Sequence, residues 1–227
     1  MDTDKQPHKI FLEVAADRGA ESPCPKCGRL CKAHDFHEFT WRHPNFYPNF
    51  FQHHCYVTAR VPRVDYPGHG TKQGKVPWTR KDSRFTLLFE QAAITLVREI
   101  PVLAAARIIG VSDTRFWRVI QFYVAQALSK MDLDGSKAVA LDETASKRGH
   151  NYVTVFIDLG RKQKPIIFIT PGNGKGCLVL FRRFLREHGG DHNNIAKVVC
   201  GMSPAFLAAI GDGFPDANVT VDGFHVV

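Results

Sequence analysis

The chain has 227 residues, 44% of them hydrophobic and 23% charged, which is the composition of a folded protein and excludes a disordered one. A formal net charge of +8 favours a polyanionic partner, with nucleic acid foremost. No apolar run reaches the roughly 18–20 residues of a membrane helix, and residues 1–17 are polar with no secretory pattern, so a cytoplasmic location without membrane contact is expected.

Residues 1–20 read as a loosely ordered leader. From 21 to 75 the chain is rich in Cys, His, aromatic residues and Pro, with little helical period, which suits a small β-rich module stapled by metal. Cysteines at short spacing in a cytoplasmic chain favour metal over disulfide. Cys24-Pro25-Lys26-Cys27-Gly28 is a C-x-x-C knuckle that points two thiolates at one tetrahedral ion, expected to be structural zinc. Its partners are to be drawn from Cys31, His34, His37, His43, His53, His54, Cys55 and His69. A hairpin at Tyr66-Pro67-Gly68-His69-Gly70 makes His69 the preferred third ligand, with Cys31 or Cys55 available as the fourth.

Residues 76–83 read as a linker ending in a helix cap. A helix is expected from Arg84, with Phe85, Leu88, Phe89, Ala92 and Leu96 on its core face. Pro101 breaks it and starts a second helix that ends at Gly110. Ser112 is placed to cap a third, over about 112–129. Residues 82–130 therefore form a three-helix unit with a helix-turn-helix. Phe116, Val119, Ile120 and Tyr123 face its core, and Thr114, Arg115, Trp117, Arg118 and Gln121 are presented to base edges or phosphates of a major groove.

Residues 136–227 alternate strands and helices, an α/β pattern. An apolar strand over 138–143 delivers Asp142. A meander over 152–170, a helix over 177–188 and a strand over 195–200 follow. That order suits a ribonuclease H-like core, in which carboxylates from separate elements hold two magnesium ions roughly 3.5 to 4 Å apart. Asp142 fits the first acid. Gly201 stands where the second belongs, and Asp222, after a strand over 218–221, is a further strand-tip acid. Glu143 points to the opposite face, and Asp158 reads as a turn residue. Pro171-Gly172-Asn173-Gly174-Lys175-Gly176 lacks the ending of a phosphate loop and reads as a connection.

These motifs together resemble the ISL-three family of bacterial insertion-sequence transposases over nearly all of the chain after residue 20. The marks are Cys24 to Gly28, Thr40-Trp41-Arg42-His43, Ala59 to Val64, Val76-Pro77-Trp78, Leu141-Asp142-Glu143 with Arg148 to Val155, Met202-Ser203-Pro204-Ala205-Phe206, and Asp222-Gly223-Phe224-His225-Val226-Val227. The resemblance implies an α/β multidomain protein with an N-terminal zinc ribbon-like module, a helix-turn-helix unit and an incomplete ribonuclease H-like DDE domain. It also implies double-stranded DNA partners at terminal inverted repeats, magnesium-dependent strand cleavage and transfer, a homo-oligomeric active complex, and residence on the bacterial nucleoid. Three departures stand out: Tyr66 replaces a knuckle cysteine, Gly201 replaces an acid, and the family continues past Val227 to helices that supply a last Glu. An aromatic insertion over 44–49 is also foreign to the pattern. A truncated, catalytically inactive copy is therefore expected. The alternatives are a DNA-binding fragment acting as repressor or inhibitor of transposition, and a non-functional remnant.

Overall fold

The computed structural model describes residues 8–15, 19, 21–47, 52–66, 68–149, 151–201 and 204–221, with backbone alone at 205 and 206. It divides into two compact units, 1–126 and 127–227.

The first unit opens with β1 (His8–Val14), β2 (Glu21–Pro23), β3 (Leu30–Phe46), β4 (His53–Tyr66) and β5 (Gly70–Gln73). These form one sheet in the order β1-β4-β3-β2, with β5 also paired to β4. Its spine is the long antiparallel ribbon of β3 and β4, in register from Ala33↔Val64 to Phe46↔His53. Along β4 the alternate residues Cys55, Val57, Ala59 and Val61 are buried, the period-two pattern of a strand with one covered face. They pack with Trp41, which meets Trp78 edge-on at 5.7 Å between ring centroids. Strand β1 lies inside the segment expected to be a leader. It pairs parallel to β4 from His8↔His53 to Val14↔Ala59, and Phe11 stacks on Tyr56. Residues 8–14 thus pair an otherwise open edge of β4.

Three helices complete the unit: α1 (Leu87–Glu99), α2 (Val102–Ile109) and α3 (Asp113–Leu128). The first helix begins three residues later than expected. Ser83 does not cap it; Thr86 does, accepting from the Phe89 N–H. The shift turns Leu88 outward at 58% exposure and puts Phe85, Phe89 and Ala93 inside. Gly110 ends α2 in the left-handed region at φ 76. At the start of α3 the Asp113 carboxylate accepts from the Thr114 N–H, and the Phe116 N–H reaches the Ser112 carbonyl. Phe116 and Val119 are buried against Ala105, Ala106 and Ile109, with Val111, Ile120 and Tyr123 packed around them.

The second unit contains β6 (Ala138–Lys147), β7 (Asn151–Asp158), β8 (Ile166–Pro171), α4 (Lys175–Glu187), β9 (Lys197–Cys200), α5 (Pro204–Gly213) and β10 (Asn218–Val221). The sheet order is β10-β9-β6-β7-β8. Strands β6, β7 and β8 run antiparallel in a meander, while β9 and β10 continue parallel on the other side of β6. Helix α4 buries Cys177, Leu178, Phe181 and Leu185 at helical spacing. Phe181 stacks on Phe156 at 4.2 Å, and Ile210 and Phe214 close the same core. The other face of the sheet leaves Ile169 54% exposed. Asp158 does more than turn the chain. It is buried, pairs with Arg161, and accepts from Ser136 Oγ and the Gly160 N–H.

Candidate functional site

Asp142 lies within β6 rather than at its tip, because the strand runs on to Lys147. Its position relative to β9 is what matters. The parallel pairing of β6 with β9 ends at Leu141↔Cys200, so Asp142 and Gly201 are the next residues on neighbouring strands. A Cβ added at Gly201 would lie 3.8 Å from Asp142 Oδ1, an ordinary contact. The two positions therefore face each other. Asp142 is exposed, and its Oδ1 accepts from the Glu143 N–H at 2.8 Å. Glu143 falls on the opposite face, as the pleat requires. One of its carboxylate oxygens is buried without a hydrogen-bond partner, and burial, then the neighbouring Asp142 charge, pushes its carboxyl pKa up.

Asp222 lies outside the described residues; β10 ends just before it at Val221, which pairs with Cys200. Among the described residues no group of three metal-binding side chains forms around Asp142. One carboxylate opposite a glycine does not fit a two-magnesium site, which needs acids from separate elements.

The cysteine knuckle does fit a metal. Ligand atoms of Cys24, Cys27 and His69 all lie within 4.8 Å of one another. The turn after β2 supplies the thiols: the Gly28 N–H returns to the Cys24 carbonyl, and Gly28 takes φ 75. The β4–β5 hairpin supplies the histidine, whose Nδ1 is 3.6 Å from Cys24 Sγ. Backbone N–H groups of Lys26 and Cys27 hold the Cys24 thiol down at about 6, which favours the thiolate form that a metal takes. Tyr66 packs its ring 5.1 Å from that of His69. Cys31 is close enough to both knuckle thiols for their charge to raise its pKa, after burial, whereas Cys55 is buried on β4 near Arg42.

Thr114, Arg115, Trp117, Arg118 and Gln121 are all exposed on α3. Helical geometry keeps Thr114, Trp117, Arg118 and Gln121 in one arc of about 100° and sets Arg115 about 60° outside it. Arg115 leans over the Phe85 ring at 4.8 Å.

Sequence reasoning gave no role to Arg42, although it quoted the motif around it. Arg42 is 4% exposed. Its backbone N–H reaches the Arg84 carbonyl at 2.9 Å, and its own carbonyl accepts from the Thr86 N–H at 3.0 Å. The guanidinium donates to the carbonyls of His43, Cys55 and Ile109 and to the Asn45 side chain. It thus fastens the β-ribbon to the end of α2. Glu90 was missed as well. Fully buried, it accepts from Arg80 Nε, Ser83 Oγ and the Tyr123 hydroxyl. No periodicity marks either residue. A charged side chain on a buried helical position is the one sequence signal that could have flagged Glu90.

Residues 75–124 match the helix-turn-helix domain of transposase family ISL3, and residues 139–227 match the DDE transposase model of the same family. The chain is 29% identical over 209 residues to the transposase for insertion sequence element IS1001 of Bordetella parapertussis, covering 90% of this chain and 49% of that protein. It is 25% identical over 177 residues to the transposase for insertion sequence element IS1557 of Mycobacterium tuberculosis, covering 76% of this chain and 38% of that protein. It therefore spans less than half the length of these curated relatives. A pre-cleavage Mos1 transpososome aligns at 15% identity over 70% of this chain and 62% of that one; its TM-score of 0.24 is too low to inform the fold. Two adjoining family models and the insertion-sequence relatives converge on one conclusion: the chain belongs to the ISL3 family of transposases.

Proposed function

We propose that this chain acts in DNA transposition. Its first unit binds double-stranded terminal inverted repeats through the helix-turn-helix, and its second carries part of a ribonuclease H-like DDE core for strand cleavage and transfer. The observation that carries the reading is the meeting of Asp142 and position 201 just past the last parallel pair of β6 and β9, in a sheet ordered β10-β9-β6-β7-β8. That order, a three-stranded meander flanked by two parallel strands, supports the ribonuclease H-like assignment. Asp142 is the first catalytic acid in this reading, Asp222 a second carboxylate, and Thr114, Arg115, Trp117, Arg118 and Gln121 the groove-facing residues. The zinc ribbon-like reading rests on Cys24, Cys27 and His69, with Cys31 favoured over Cys55 as a fourth donor because it neighbours the knuckle thiols. An active complex would be a homo-oligomer on nucleoid DNA.

Divalent metal, if held beside Asp142, would supply charge stabilisation for strand cleavage. This chain's own contribution is to position Asp142 beside the strand junction. With glycine at 201 that contribution is incomplete, and this favours a second reading, in which the chain occupies element ends without cutting them and so represses transposition. Selection from a randomised duplex library tests both. Enrichment of one sequence, weakened by Arg118→Ala, is expected; no preference over random DNA would remove both readings. Cleavage of the enriched duplex in magnesium, abolished by Asp142→Ala, would select the first reading over the second.

A further inference from the structure

A cavity of about 450 Å³ opens where the β-ribbon meets the turn between α2 and α3. It is lined by Glu38, Thr40, Arg42, Arg84, Gly110 and Arg115, among others. Three arginines thus converge from three elements: β3, the segment leading into α1, and the first turn of α3. Each is held by an aromatic face. Arg42 lies 5.1 Å from the Tyr56 ring centroid, Arg84 5.2 Å from that of Phe39, and Arg115 4.8 Å from that of Phe85. Among the described residues none of the three forms an ion pair, and Glu38, the one acid lining the cavity, bridges none of them.

Arg42 is the unusual member. A guanidinium nine-tenths buried is ordinarily paired with a carboxylate, because an uncompensated charge is costly to desolvate. Here its hydrogen bonds go to backbone carbonyls and the Asn45 amide, which satisfy its N–H groups and leave its charge unneutralised. Burial, with the neighbouring Arg115 adding to it, lowers its pKa, the direction expected of a cation lacking its anion. Arg84 and Arg115 are exposed and carry N–H groups free to turn towards an oxyanion.

We propose that this cavity seats one backbone phosphate of the bound duplex, with Arg84 and Arg115 donating to its oxygens and Arg42 supplying fixed positive charge behind them. The proposal rests on the DNA-binding reading and extends it: the β-ribbon and the helix-turn-helix grip DNA as one surface, and the phosphate fixes the register of α3.

The test uses the full chain, a fluorescein-labelled mixed-sequence duplex, and anisotropy titrations over a range of salt. Arg84→Gln and Arg115→Gln should each weaken binding about threefold to tenfold and lower the salt slope by about one. The double variant should lose little more than either single one, because both arginines serve one phosphate. Arg84→Lys, which keeps the charge but not the fork, should fall between wild type and Arg84→Gln. Arg84 holds its strand contact through its backbone carbonyl, so unchanged tryptophan fluorescence should show that the variants are folded. Unaltered affinity and slope in Arg84→Gln, with Arg118→Gln still weakening binding, would overturn the phosphate seat and leave the DNA-binding reading standing. No duplex binding by wild type would remove both. Protection of wild type by inorganic phosphate against thermal unfolding, lost in Arg84→Gln but without duplex binding, would assign the cavity to free phosphate and overturn the proposal.

Discussion

Glu90 offers the sharpest stability prediction. Its carboxylate is fully buried and receives Arg80 Nε at 2.9 and 3.0 Å, Ser83 Oγ at 2.6 Å and the Tyr123 hydroxyl at 2.8 Å. It ties the linker to α1 and α3, so its loss strands Arg80 and Ser83 in the linker and Tyr123 on α3. Removing one member of a fully buried ion pair costs about 3–5 kcal/mol, and Arg80, with 21% of its side chain in solvent, should cost about 2 kcal/mol of that when left behind. Each orphaned hydroxyl costs about 1 kcal/mol in isolation, and the terms overlap because they share one acceptor. Glu90→Ala should therefore destabilise the first unit by about 4 kcal/mol, a fall in Tm on the order of 15 °C. Glu90→Gln keeps the shape and one acceptor oxygen and should cost about half as much. All three tryptophans, Trp41, Trp78 and Trp117, lie in this unit, so tryptophan emission during thermal unfolding reports on it selectively. A loss below about 1 kcal/mol in Glu90→Ala, or equal losses in the two variants, would refute a charge-assisted network.

Other predictions concern the metal, the turn and alkaline pH. The purified protein should hold one zinc per chain through Cys24, Cys27 and His69, measured by colorimetric release; Cys27→Ser or His69→Ala should abolish it. Because protons compete with the metal for the Cys24 thiolate, zinc affinity should weaken as pH falls below about 6, measured by competition with a chromogenic chelator. Gly110→Ala should cost about 1–2 kcal/mol, read by thermal unfolding, because φ 76 disfavours an L residue and a Cβ there would sit 2.8 Å from His54 Nε2. Burial and then the hydrogen bond to Glu90 push the Tyr123 hydroxyl up to about 12. A raised folded-state pKa stabilises at pH below the unfolded value and is lost above it, so stability should drop between about pH 10 and 12, and less in Tyr123→Phe.

Much of this arrangement is legible in the sequence because it is local. The C-x-x-C knuckle, the glycine that ends α2 and the apolar spacing of α3 each write their geometry within a few residues. The α/β alternation after residue 136 likewise signals β6 to β10 in order. Boundaries fare less well where tertiary contacts decide them. Thr86 rather than Ser83 caps α1 because Ser83 is drawn to Glu90 and the backbone around residue 84 is held by Arg42 on β3. Nor does residue 8 announce that its strand will add to β4, since the pairing is forty-five positions away. The arginine cavity is invisible to any linear reading. Its three cations are separated by dozens of residues, and only the bridge between β3 and the start of α1 brings them together.

The central claim is that Asp142 and position 201 face one another across the β6–β9 junction, so that a carboxylate at each would hold a divalent ion. Calorimetric titration of manganese into the full chain carrying Gly201→Asp tests it most directly. The added carboxylate should tighten manganese binding at least about tenfold over the parent chain, and combining it with Asp142→Ala should return it to the parent level. Affinity unchanged by the glycine substitution, or retained after Asp142 is removed, would contradict the account.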